Sequence, residues 1–425
     1  MRSAISPLIA AVEAQLLALP CSLALEWPGG RAGAASSPLR LKLRQRELLG
    51  RLAQGRIGDL ADAYVRGDLE IEGTLSDLML VAGALAGDPV ARGVQARWLQ
   101  CLMGWRARWR RSQARDAEQV RAHYDLGDEF FALWLDPLRV YSCAYFDPPT
   151  LSLAQAQEAK LELICRKLQL APDMRLLDVG CGWGGLLMWA VRHHGVRAVG
   201  LTLSRHQHAH VSRLIDDARL GHRAEVRLLD YRDLRAAGQF DRIASVGMFE
   251  HVGRARLAGY ANRMRGLLRP GGLLLNHGIA AGGLDHAQLG AGMGDFIERH
   301  IFPGGELVHV SVAIRALAQG GLELLDAENL RPHYARTLWQ WSARLEEKMA
   351  AARRVTTEAT VRAYRLYLAG SAMCFERGWL ALYQLLAARP GGQGAPGLRL
   401  PAGADYPDYP FTRRHMLCEA RPSDH

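Results

Sequence analysis

The run LLDVGCGWGG, Leu176 to Gly185, constrains this chain more than any other stretch. A short apolar strand ends in an acid, and Gly180, Gly182 and Gly184 follow at alternate positions. Lacking Cβ atoms, these glycines can take positive φ and bring bare backbone against a small ligand. The next segment, Leu186 to His194, reads as a helix, whose free N-terminal N–H groups favour a carboxylate or phosphate. A dinucleotide fingerprint would space its glycines GxGxxG, with an acid about twenty residues further on. Here the spacing is DxGxGxG with the acid in front. That variant suits S-adenosylmethionine, which has no pyrophosphate but carries an amino-acid end and a sulfonium. The competing reading is an ordinary strand-to-helix turn.

From this turn onward strand-like and helical segments alternate. Strands are expected at Arg175 to Val179, Arg197 to Leu203, Ala224 to Asp230, Phe240 to Met248, Gly271 to Ile279 and Leu322 to Asn329. Such alternation implies a parallel sheet covered by helices on both faces, with ligands at the carboxyl ends of its strands. The glycine-rich insert Ala280 to Val310 is too polar and broken for a core element and reads as a lid. Helical stretches follow at Ala335 to Ala352 and Thr357 to Met373; Leu380 to Ala387 fits a strand or a helix equally. Upstream, residues 1–87 mix short strands (Cys21 to Trp27, Leu39 to Leu43) with helices (Ile57 to Arg66), as in a small α+β domain. Residues 88–118 form a connector, and the Pro- and Gly-rich tail 389–425 is expected to pack loosely.

With 425 residues, 49% of them hydrophobic, the chain can bury a sizeable core. No run of about eighteen apolar residues is present. Glu13 and Gln15 interrupt the apolar N-terminus, which reads as an amphipathic helix rather than a signal peptide. Seven scattered cysteines without CxxC spacing point to reduced thiols and a cytoplasmic setting. The formal charge of +10 calls for a polyanionic partner, nucleic acid or anionic lipid. Between Arg97 and Arg115, Trp98, Leu102, Trp105 and Trp109 fall on one helical face edged by arginines. This suits an interfacial membrane helix, or a buried inter-domain helix, or less well an RNA-binding one.

Several ordered motifs resemble one family. HYDLGDEFFALWLDP (His123 to Pro137), YSCAYF (Tyr141 to Phe146), DVGCGWGG, GLTLSRHQ (Gly200 to Gln207), MFEHVG (Met248 to Gly253), IFPGGEL (Ile301 to Leu307) and RPHYARTL (Arg331 to Leu338) are similar to those of cyclopropane-fatty-acyl-phospholipid synthases and the related mycolic acid cyclopropane synthases. The resemblance covers Gln119 to Leu386. LADAYVRGDLEIEG (Leu60 to Gly73) also resembles the N-terminal domain of the phospholipid-acting branch, a lipid-binding or dimerisation domain. The fold implied is α/β: a Rossmann-like, class I S-adenosylmethionine-dependent methyltransferase sheet with a small N-terminal α+β domain through which a homodimer could form.

The activity implied is transfer of a methylene to the cis double bond of unsaturated acyl chains in membrane phospholipids. An alkene is a weak nucleophile, and its methylation leaves a cation that must be shielded from water and must lose a proton as the ring closes. Aromatic faces stabilise a desolvated cation by about 2 kcal/mol each; Tyr141, Tyr145, Phe146, Phe249, Phe296 and Phe302 are candidate walls. The family's base is bound bicarbonate. By position its ligands would be Cys143 and Ile279 through backbone, Glu250 by sharing a proton, and His277 and Tyr334 through side chains. Cofactor contacts would come from Tyr141 and Ser142, from Asp178, Gly180 and Gly182, from Thr202, Leu203 and Gln207, and from Asp230 and Tyr231 near the adenine.

One departure concerns YLAGSAMCF, where Ser371 replaces a cysteine of many relatives and Cys374 stands three residues on. Alkene methylation needs no thiol nucleophile, so activity without it is expected. The histidines of HQHAH, His206 to His210, read as a solvated helix face rather than a metal site. The expected setting is the cytoplasm, at the inner face of an anionic membrane, with no nucleic acid partner. Alternatives within the fold are a branch-methyl or small-amine methyltransferase; outside catalysis, a lipid-binding protein.

Overall fold

The computed structural model describes residues 7–88, 127–284, 289, 291–391, 398–399, 405–406 and 413–417. The basic-aromatic connector, from residue 89 on, and most of the tail lie outside them.

The N-terminal region runs α1 (Pro7–Leu17), β1 (Leu23–Trp27), β2 (Gly30–Ala32), β3 (Leu39–Leu43), α2 (Leu48–Ala53), α3 (Ile57–Arg66), β4 (Leu69–Glu72) and α4 (Leu75–Ala86). Its strands form a mixed sheet ordered β2-β1-β3-β4. In β3, Leu39, Leu41 and Leu43 are buried while Arg40 and Lys42 face outward to Glu72, the period of two that a half-covered strand requires. Helix α3 stops at Gly67, left-handed at φ 84°, and α4 starts at Thr74, whose Oγ1 accepts the Asp77 N–H at 3.1 Å.

Beyond the connector come α5 (Asp128–Ala132), α6 (Leu153–Lys167), β5 (Arg175–Val179), α7 (Gly185–His194), β6 (Arg197–Thr202), α8 (Arg205–Asp217), β7 (Ala224–Leu228), β8 (Phe240–Val246), α9 (Leu257–Leu267) and β9 (Leu268–Ala281). They are followed by α10 (Met293–His300), α11 (Val310–Gln319), β10 (Glu323–Asn329), α12 (Arg331–Glu347), α13 (Met349–Val355), α14 (Glu358–Glu376) and β11 (Leu380–Ala388). The seven strands are ordered β10-β11-β9-β8-β5-β6-β7. The five from β9 to β7 are parallel, as the alternation predicted, and β11 is antiparallel to both neighbours. Because β11 is covered on both faces, its apolar run carries no period, which is why periodicity alone left strand and helix open.

Three expectations are corrected. The insert after β9 is not wholly polar: it contains α10, with Phe296 and Ile301 buried. Helix α12 begins at Arg331, four residues earlier than expected, because Pro332 occupies its first turn, where no N–H is needed, and Asn329 Oδ1 accepts the Arg331 N–H at 2.9 Å. The tail docks in part: Met416 is buried in the core, and Arg413 pairs with Asp326.

The N-terminal region is not set apart from the larger sheet. One apolar core runs from Leu25, Leu39 and Tyr64 through Trp134 to Trp341, Tyr364 and Phe375. Helix α14 is the shared wall. Its Arg362 donates to the Tyr64 carbonyl at 2.9 Å and to both Glu70 carboxylate oxygens at 3.0 and 3.1 Å, and its Arg365 donates to the Tyr64 hydroxyl at 2.8 Å. The insert helix α10 also rests on this region. Gly58 N–H donates to the Ala291 carbonyl at 2.9 Å, and buried Asp62 pairs with Arg299 and with His300 at 2.8 Å.

A Cβ at Gly58 would run into the Gly292 carbonyl, although the helical backbone of Gly58 would accept alanine. Gly58→Ala is therefore expected to push α10 off α3 while leaving the sheet intact. Hydrogen exchange should quicken across residues 291–302 and stay unchanged in β5 and β8; equal protection in both proteins would contradict this contact.

Candidate functional site

Parallel pairing sets the site. Val179 pairs with Leu201 and with Ser245, and Val246 pairs with His277, so β5, β6, β8 and β9 end along one edge. The chain leaves β5 through Gly180, Gly182 and Gly184, with φ of 81°, 55° and 84°. These are the left-handed conformations expected from the glycine spacing. The Gly180 and Cys181 N–H groups donate to the Leu201 carbonyl at 3.0 and 2.9 Å, which ties the turn to β6.

An open cleft of about 1310 Å³ lies over this turn. All ten residues expected to meet the cofactor line it: Tyr141 and Ser142 from the entry loop, Asp178, Gly180 and Gly182 from the turn, Thr202, Leu203 and Gln207 after β6, and Asp230 and Tyr231 after β7. Thr202 donates its hydroxyl proton to Gln207 Oε1 at 2.7 Å and accepts the Ser204 N–H at 3.1 Å, and Ser204 caps α8. Asp230 holds Arg232 through its backbone N–H at 2.9 Å and its guanidinium at 2.6 Å. Asp178 Oδ2 is buried without a hydrogen-bond partner, and burial pushes the carboxyl up to about 7. The cradle is concave, built on backbone, and has an unsatisfied acceptor at its floor. That fits a small ligand with a cationic amino-acid end.

The second cluster sits beside the first. After β8 the chain turns through Phe249 to His251, and Glu250 Oε1 accepts the Ile279 N–H from β9 at 2.7 Å. Glu250 Oε2 is buried without a partner, and burial raises the carboxyl to about 7. His277, two residues before Ile279, is buried; Gln384 Nε2 donates to its Nδ1 at 3.2 Å, which leaves the ring proton on Nε2. That Nε2 has no partner, and burial holds the imidazole well below its usual range, so it stays neutral. Cys143 and Tyr334 join through Leu330. The Cys143 thiol lies 3.8 Å from the Leu330 carbonyl, which accepts the Tyr334 N–H at 3.0 Å, and Leu330 N–H donates to Leu382, the residue paired with Ile279. Burial pushes the Cys143 thiol up, out of nucleophilic range.

Each unsatisfied buried polar group costs about 1–3 kcal/mol. Near the cofactor cleft the structure thus holds two buried groups without hydrogen-bond partners, a neutral imidazole nitrogen and a carboxyl that titrates near neutrality.

Other expected residues lie elsewhere. Tyr145 stacks on His333 at 4.7 Å, and Phe146 takes its place between His333 and Arg336, so neither walls the cleft. Ser371 and Cys374 line a separate apolar cavity, and burial lifts the Cys374 thiol to about 12. His210 packs edge-on against Trp183 at 5.5 Å, with Arg139 and Asp128 beside its ring.

Sequence reasoning missed four residues. Gln157 and Lys160 share a face of α6; Gln157 donates to the Ser142 carbonyl at 2.8 Å, and Lys160 donates to the Ser142 hydroxyl at 2.9 Å. Lys160 is fully buried beneath the cleft, near Asp178 and Asp136, and burial lowers its ammonium to about 8. Gln384 orients His277, and the Tyr367 hydroxyl lies 3.4 Å from that of Tyr141. The i, i+3 spacing of Gln157 and Lys160 among the apolar positions of this helix was the signal available.

The raised Glu250 carboxyl makes stability depend on pH. Folded, it keeps its proton up to about 7, whereas unfolded it releases it near 4.5. Between these values the folded protein binds more protons, so stability falls as pH rises, by roughly 3 kcal/mol across the window. In calorimetric melts without added ligand, Glu250→Gln should match the native protein at the acid end and be more stable above neutrality. Parallel curves would contradict the buried, proton-retaining carboxyl.

The family profile for mycolic acid cyclopropane synthetase matches residues 111–385. A protein of Pseudomonas putida named "Probable fatty acid methyltransferase" is 40% identical over 403 residues, covering 95% of this chain and 97% of its own. A cyclopropane mycolic acid synthase of Mycobacterium tuberculosis is 38% identical over 282 residues, covering 64% of this chain and 97% of its own. The solved structure of a cyclopropane synthase from the same organism superposes with a TM-score of 0.60 at 38% identity, over 64% of this chain and 98% of that one. A related synthase, solved in complex with SAH and CTAB, gives 0.61 at 37% identity, over 64% and 98%. On these grounds the chain belongs to the mycolic acid cyclopropane synthetase family, and it is an S-adenosylmethionine-dependent methyltransferase of that type.

Proposed function

We propose that this protein adds a methylene unit to the cis double bond of unsaturated acyl chains in membrane phospholipids, forming cyclopropane rings, with bicarbonate as the base. The observation that carries the reading is the pair of buried, unsatisfied groups, Glu250 Oε2 and His277 Nε2, set beside the cofactor cleft. Closing a cyclopropane ring on a methylated alkene requires a base that removes a proton from the new methyl group, and this pair offers a place beside the methyl donor to hold one.

S-adenosylmethionine, when bound, supplies the electrophilic methyl, and bicarbonate, when bound, supplies the base. The protein's own groups do the rest. The turn at Gly180 and Gly182 and the floor at Asp178 receive the methyl donor, and Lys160, through Ser142, fixes the entry loop over it. Tyr141, half-buried against Phe131, Trp134 and Trp341, forms an aromatic wall at the cleft that would help exclude water. Glu250, poised near neutrality, would take or return a proton at Oε2 and neutral His277 would donate from Nε2; by their positions in the family motifs Tyr334 and the backbone of Cys143 would supply further contacts, while the Ile279 N–H holds Glu250 Oε1 in place.

Docking on an anionic membrane agrees with the charge of +10. No helix among the described residues is long and apolar enough to cross a membrane. A second reading is transfer of a branch methyl to an unsaturated chain. It is favoured by the name of the Pseudomonas putida relative, which matches along nearly the whole chain.

Lipid extracts from cells with and without the gene, compared by mass spectrometry, test the proposal. Unsaturated phospholipid chains should gain one CH2 only when the gene is present, and Glu250→Gln should lower that gain about a hundredfold or more. Good expression with no gain in any acyl chain would overturn the reading.

A further inference from the structure

A second cavity, about 870 Å³, lies away from the cofactor cleft, between the N-terminal region, the insert helix α10 and helix α14. Its wall is almost wholly apolar. From α14 it takes Leu366, Tyr367 and Met373, and from α10 it takes Met293, Phe296 and Ile297. More than half of the lining comes from the N-terminal region, including Val81, Ala82 and Leu85 on α4. That region precedes residue 111, where the match to the family begins.

The cavity and the reaction site meet at Tyr367. Its ring lines the cavity and lies 5.6 Å from that of Phe302, and its hydroxyl lies 3.4 Å from the hydroxyl of Tyr141, which lines the cofactor cleft. Burial raises the Tyr367 phenol, and the charge of the Glu250 carboxylate adds to that rise. An apolar chain passing Tyr367 would thus have its reacting carbons near Glu250 and its remaining length in the cavity.

We propose that this cavity holds the methyl-terminal part of the substrate's acyl chain, and that α4 of the N-terminal region forms the end wall that sets how long that part can be. The proposal rests on an acyl chain being the substrate. It gives the N-terminal region a role in specificity: α3 anchors the lid helix through Gly58 and Asp62, and α4 limits the chain. An apolar pocket takes hydrocarbon favourably in proportion to the area buried, and each methylene that no longer fits is lost to binding. Ala82 is small and buried on the cavity wall, so Ala82→Phe should fill the space without disturbing a polar contact, and Leu85→Ala should lengthen it.

The experiment is displacement of a fluorescent fatty acid, cis-parinaric acid, from the full-length protein by myristoleic, palmitoleic and oleic acids. Ala82→Phe should weaken oleic acid relative to myristoleic acid about tenfold, the value of two buried methylenes. Leu85→Ala should shift the preference the other way. Unchanged ratios in both variants, or equal weakening of all three acids in proteins with native melting temperatures, would overturn the proposal. This readout does not depend on turnover. Altered ratios with no CH2 gained by any lipid would keep the chain pocket and remove the methylene-transfer reading; CH2 gained with unaltered ratios would do the reverse.

Discussion

Parallel pairing of β5, β8 and β9 is the constraint on which the rest of the molecule depends. Register alone brings the glycine turn after Val179, the turn bearing Glu250 and the side chain of His277 to one edge of the sheet. No single strand end could hold both a methyl donor and a base. Three adjacent ends can, because neighbouring strands lie about 5 Å apart. The antiparallel β11 then adds what the parallel strands lack: Gln384, facing His277 in register, fixes the tautomer of the imidazole from the far side.

The buried polar groups follow from that arrangement. Glu250, His277, Asp178 and Lys160 are all enclosed, and each would be cheaper as an apolar residue. Their cost is tolerated because the shared core is extensive, running from the N-terminal sheet through α14 to the aromatic cluster at Trp134 and Trp341. Helix α14 links the two halves, with Arg362 and Arg365 facing the N-terminal region and Tyr367 facing the site. The region that looked like an appended domain in sequence is thereby part of the enclosure around the chemistry.

Much of this was legible before the fold was known, and the reasons are local. The glycine spacing at 180, 182 and 184 dictates positive φ wherever it occurs, and the alternation of strands and helices after Arg175 leaves few topologies. The resemblance singled out Glu250, His277 and Ile279; in the fold the Ile279 N–H donates to Glu250, and His277 meets Gln384 of the neighbouring strand. What stayed hidden depended on contacts distant in sequence. Nothing in the run around Lys160 says that its ammonium ends at Ser142, and nothing near Gln384 says that it faces His277. Tyr145 and Phe146 belonged to a site motif yet pack on His333, a partner almost two hundred positions away that no local pattern announces. The fusion of the N-terminal region with α14 rests on pairs nearly three hundred positions apart, such as Arg362 with Glu70.

The central claim is that this site adds a methyl carbon and then removes one of its protons. It is tested most directly by supplying S-adenosylmethionine with a fully deuterated methyl group and weighing the modified acyl chains. The account predicts chains carrying CD2, the third deuteron having been lost to base beside Glu250. Chains that retain CD3 would contradict it and would assign the site to branch methylation.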